Sequence, residues 1–153
     1  MKNIFKYTAI AAALSFAGFT PQAAHADSPA VYTSWQDNVA VGGYDVVSFY
    51  SGTPLAGTSD HVVDYKGAAW QFSTEANLDL FKTNPDAFIP QYGGYCAWAV
   101  ANNKLAKGSP EHWHIEDGKL YLNFNKRIAK RWNKKIPKFV DKADTNWPEI
   151  LVD

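Results

Sequence analysis

A chain of 153 residues with 15 basic and 15 acidic side chains carries no formal net charge. With no other nucleic-acid signal, that balance leaves nucleic acid outside the expected partners. One cysteine in the whole chain excludes an internal disulfide, and no stretch beyond the N-terminal one is apolar enough to cross a membrane.

Lys2 and Lys6 make a positive start, Ala9 to Phe19 is an apolar run, and Ala24-His25-Ala26 supplies small residues around a cleavage point. Together they read as a secretory signal over residues 1–26, which places the mature chain in the periplasm or outside the cell. Residues 27–38, with Pro29 and Trp35, read as an irregular leader, and the domain proper is expected over 39–151. Gly42-Gly43 mark a turn. Asp45 then either caps a short helix over Val46 to Tyr50 or precedes a strand there, because Val, Phe and Tyr favour strands. His61–Tyr65 and Ala68–Phe72 flank Lys66-Gly67 as a predicted hairpin. Ser73 or Thr74 caps the helix that follows, with Leu78, Leu80, Phe81 and Phe88 on its buried side, and Asn84-Pro85 ends it.

Pro90 hands the chain to Gln91-Tyr92-Gly93-Gly94-Tyr95-Cys96-Ala97-Trp98, where two glycines and three rings surround the lone thiol. A short helical turn is expected after it. His112–Glu116 and Lys119–Phe124 form a second hairpin about Asp117-Gly118. Asn125 caps a long amphipathic helix with Ile128, Trp132 and Ile136 inward, which Pro137 kinks or restarts. No internal repeat is evident. The fold expected is a single small α+β domain, two β-hairpins packed with several short helices and a long C-terminal helix.

Charge is unevenly spread. Asp27 to Gly118 holds four basic and eleven acidic side chains, whereas Lys119 to Asp153 holds nine and four. The basic block from Lys126 to Lys138 either pairs with the acidic half of the same domain or faces an anionic partner such as a membrane surface.

Gly43-Tyr44-Asp45-Val46-Val47-Ser48-Phe49-Tyr50, Tyr65-Lys66-Gly67 with Trp70-Gln71-Phe72, Gln91 to Ala97, Asp117 to Asn123, and Ala143 to Pro148 resemble the exported YHS-domain proteins over about Val39 to Trp147. The YHS domain occurs on copper- and heavy-metal-transporting ATPases and on some diiron monooxygenases, so the resemblance implies metal binding. Some similar exported proteins carry selenocysteine where Cys96 stands, which favours a chemical role for that position. This chain departs from the metal-binding pattern in having one cysteine rather than a pair, and it lacks a Tyr-His-Ser tripeptide.

Three readings of the site follow. In the first, Cys96, His112 and His114 bind copper or zinc: histidines two apart on a strand share a face, and imidazoles with a thiolate suit Cu(I), Cu(II) or Zn(II). In the second, Cys96 is a redox nucleophile whose pKa is lowered by the start of a helix. In the third, Cys96 is a small packed apolar residue and the domain binds a protein partner without chemistry. Tyr44, Asp45, Tyr92 and Tyr95 are the side chains expected to line a ligand cleft.

Overall fold

In this computed structural model, residues 27–34 and 37–152 are described; the expected signal over 1–26 and Trp35 of the leader lie outside the described residues. Lys66-Gly67 and Asp117-Gly118 both have two successive positive φ angles, +50° and +78° in the first pair, +48° and +72° in the second. That conformation matches the twist of the strands it joins. The first pair joins β1 (Thr58–Tyr65) to β2 (Ala68–Phe72), and the second joins β3 (Ser109–Glu116) to β4 (Lys119–Asn123), as two separate antiparallel hairpins. β1 and β3 begin earlier than expected because each contains a bulge, between Thr58 and Val62 and between Ser109 and Trp113. Pairing resumes beyond it.

Helix α1 (Glu75–Thr83) starts where the Thr74 hydroxyl accepts the Asn77 amide at 3.2 Å. Leu78 and Phe81, three apart, share its buried face, but Leu80 is 52% exposed; two residues along a helix lies nearly the opposite side. After the short α2 (Ala97–Val100), Asn125 accepts the Ile128 amide and opens α3 (Lys126–Trp132). Of the kink or restart expected at Pro137, the chain takes the restart, which leaves α4 (Ile136–Asn146) as the longer C-terminal helix. Lys135 leaves helical geometry and α4 begins with Pro137 in its first turn, where a missing N–H costs nothing. The segment after Asp45 is helical, a 3-10 turn over Ser48–Ser51, not a strand.

The two hairpins belong to a larger repeat, which overturns the expectation of none. Tyr44 bridges Ala56, and fifty-one residues on, Tyr95 bridges Lys107. The Asp45 amide donates to Leu55 O and the Gly57 amide to Gly43 O; at the same offset, Cys96 donates to Ala106 O and Gly108 to Gly94 O. Every Cα pair of the first ladder, from Thr58–Phe72 to Tyr65–Ala68, has its counterpart from Ser109–Asn123 to Glu116–Lys119. The caps Thr74 and Asn125 correspond, as do the ring pairs Trp70–Phe81 and Tyr121–Trp132, both with centroids 5.3 Å apart. Each unit is therefore a glycine turn, a bulged hairpin and a capped helix. Val46, Phe49, Trp70, Phe72 and Phe81 centre one core; Tyr92, Tyr95, Val100, Tyr121 and Trp132 centre the other. β4 is the wall between them, with Leu120 and Leu122 in the first core and Tyr121 in the second, as strand alternation requires.

The leader packs on this frame. Val31 is buried, the Ser28 amide donates to Leu151 O, and the Tyr32 amide donates to Gly93 O.

Candidate functional site

Tyr92, Gly93 and Gly94 take φ of +60°, +63° and +86°, bending the chain sharply before the thiol. A Cβ on Gly93 would lie 1.8 Å from the Ala30 carbonyl oxygen, so no other residue fits there. This bend delivers Cys96 inward rather than to a surface. The residue is 1% exposed and packs with Ala99 and Ile128, with half-buried Trp98 and Ala106 around them. Its S–H donates to Asn123 Oδ1 at a long 3.8 Å, and the same oxygen accepts the Trp98 amide at 3.3 Å. Burial pushes the Cys96 thiol up, against smaller opposite pulls from the backbone at Ala99, Phe124 and Trp98. The start of α2 does not lower it as the sequence suggests, because loss of water outweighs those few amides.

The position equivalent to Cys96 in the first unit is Asp45, which is wholly buried. Its Oδ1 accepts the amides of Val47 (2.9 Å) and Ser48 (3.3 Å). Its Oδ2 accepts the Ser73 amide (2.9 Å), the Ser73 hydroxyl (2.6 Å) and the Asn77 side-chain amide (2.7 Å). One carboxylate thus ties the glycine turn to the start of α1, with all its lone pairs used inside the fold. In the second unit Ser48, Ser73 and Asn77 become Ala99, Phe124 and Ile128. Polar donors around a carboxylate in the first unit thus correspond to apolar side chains around a thiol in the second. Sequence reading named Asp45 but missed Ser73 and Asn77; the recurrence of Gly-Gly-Tyr at 42–44 and 93–95 was the signal that links the two positions.

Among the described residues, no three His, Cys, Asp or Glu side chains come together as a metal site, so Cys96, His112 and His114 are not gathered into one. His114 pairs opposite Tyr121 and its Nε2 lies 2.8 Å from Glu116 Oε2. His112 falls in the bulge of β3, outside the regular pairing that alternation presumes. The residues present do not fit a soft-metal centre at the thiol: the one side chain hydrogen-bonded to it offers a neutral amide oxygen, whereas such ions select thiolate and imidazole donors.

The four expected cleft residues are dispersed between the two cores. Tyr44 is half-buried against Phe49 in the first, beside the buried Asp45. Tyr92 and Tyr95 are buried in the second. The Tyr92 hydroxyl donates to Asp144 Oδ1 at 2.8 Å, and Tyr95 donates to Pro29 O at 2.9 Å. The Tyr92 ring borders a cavity of about 310 Å³ with Ile89, Pro90, Gln91 and Trp147, away from the sulfur.

The ion pairs among the described residues are Lys66–Asp86, Lys82–Asp79 and His114–Glu116. The basic block of α3 makes none, so direct pairing with the acidic half is not seen there. Arg131 instead lies over the Trp98 ring, 5.8 Å from its centroid.

Residues 46–92 match the YHS domain, a domain generally linked to metal handling. The matched stretch is the first unit from just past its own glycine turn to the threshold of the second. No curated protein and no solved structure matches the chain.

Proposed function

We propose that this chain is an exported, non-catalytic binding module built on a YHS domain, in which Cys96 is an architectural side chain of the second unit. The observation that supports it is the sealing of the sulfur among Ala99, Ile128, Trp98 and Ala106 at the position where the first unit places a structural carboxylate. A nucleophile needs thiolate and access, and burial withholds both. A copper or zinc site needs several anionic or imidazole donors converging on one ion, and this thiol has no such neighbours.

Titration of the folded protein with Cu(I) and Zn(II), with and without Cys96→Ala, tests the reading. The expected result is no stoichiometric site that the substitution removes. In parallel, a thiol reagent is expected to label Cys96 at least ~100-fold faster in urea than in buffer, following the opening equilibrium of the fold. A one-to-one metal complex lost in the folded Cys96→Ala variant restores metal binding. Fast native labelling restores the redox nucleophile.

A further inference from the structure

α1 and α3 are equivalent helices of the two units, capped in the same way on the same hairpin. Their outward positions differ completely in charge. Lys126, Arg127, Lys130, Arg131, Lys134 and Lys135 stand where the first unit has Glu75, Ala76, Asp79, Leu80, Thr83 and Asn84. The scaffold therefore forms this helix and its exit without a single cation at those positions. All six are exposed, and none lies within 4 Å of a carboxylate among the described residues. Lys126 and Arg127 occupy the first turn, where the unpaired amides of a helix disfavour positive charge. Lys130 and Arg131 lie in the last turn, where the dipole favours them, but the first unit forms the same helix without any of these cations, and a cluster that folding does not need serves something outside the chain.

The surroundings indicate what. The cations are spread over exposed positions along α3 and its exit, an arrangement that meets a broad field of negative charge rather than converging on one group. Half-exposed aromatic rings accompany them. Lys107 lies over Phe124, which is 42% exposed just before α3. Trp98 and Phe139 share with Arg131, Lys134 and Lys135 an open groove of about 320 Å³. Cations beside rings suit a headgroup layer, where an aromatic body meets acyl chain and a charge meets phosphate. Among the described residues no helix is long and apolar enough to cross a membrane.

We propose that the α3 face docks on an anionic phospholipid surface. The proposal stands whether Cys96 is inert or reactive. Flotation with phosphatidylcholine vesicles, with and without phosphatidylglycerol, tests it. Binding is expected only to the anionic vesicles, falling as salt is raised. Replacing Lys130, Lys134 and Lys135 together by Gln is expected to weaken it on the order of 100-fold, about a factor of five per charge. Lys126→Glu with Lys130→Asp, which transplants the residues of α1, is expected to abolish binding while the circular-dichroism melt stays cooperative. Equal binding to neutral vesicles, no binding at low salt, or binding unchanged in either folded variant overturns the proposal. Capture by soluble polyglutamate without vesicle binding also overturns it, in favour of an acidic protein partner.

Discussion

Asp45 and Cys96 occupy one position in two copies of one backbone, yet their substitution should have unlike consequences. Asp45→Ala strands the donors of Ser73, Asn77 and Ser48 in a buried site, and each buried group left unpaired costs about 1–3 kcal/mol. A loss of about 4 kcal/mol in urea denaturation is expected. Cys96→Ala removes one sulfur from an apolar pocket and is expected to cost about 1 kcal/mol. Cys96→Asp should be far worse than Cys96→Ala, because the donors that hold Asp45 are absent around position 96. A loss of about 3–5 kcal/mol is expected, and near-neutral behaviour would refute the difference drawn between the two environments.

At the scale of elements, short-range signals were legible and longer-range ones were not. Lys66-Gly67, Asp117-Gly118, Thr74, Asn125 and Pro85 act within a few residues of themselves, and each does in the structure what its chemistry predicts. The bulges depend on what the segment packs against, so each first strand begins earlier than the residues alone indicate. Gly57 and Gly108 show the same dependence. A Cβ on Gly57 would meet the Gln71 carbonyl carbon at 2.5 Å, and one on Gly108 the Gly94 oxygen at 2.3 Å. Alanine at either position is expected to lower stability by about 2–3 kcal/mol, measured by chemical denaturation. Lys126→Glu should act oppositely, raising stability by about 0.5 kcal/mol by placing an acid in the first turn of α3, as Glu75 does in α1.

For the whole molecule, the shared wall and the buried phenols set the response to mutation and to pH. Leu122→Ala should destabilise by about 3 kcal/mol, since the side chain fills the first core from a strand that also supports the second. Burial first, and then the Asp144 carboxylate, push Tyr121 up to about 12 and hold Tyr92 up as well. Both phenols ionise more easily unfolded, near 10, than folded. Their contribution is therefore complete below about pH 10 and lost as pH rises towards 12. Denaturation midpoints should stay level up to that point and then fall, and Tyr121→Phe should make the fall shallower.

From the residues alone came the α+β class, both hairpins, the capped helices, the lone thiol and the lopsided charge, because these rest on composition or on chemistry within a turn of chain. Tertiary contact alone decided that Cys96 is enclosed, that it stands where Asp45 does, and that the α3 cations have no carboxylate partner among the described residues. The physical reason is one of distance along the chain. Burial and pairing depend on groups brought together from tens of residues away, and a fifty-one-residue repeat with few identities leaves its imprint in hydrogen bonds and register rather than in letters.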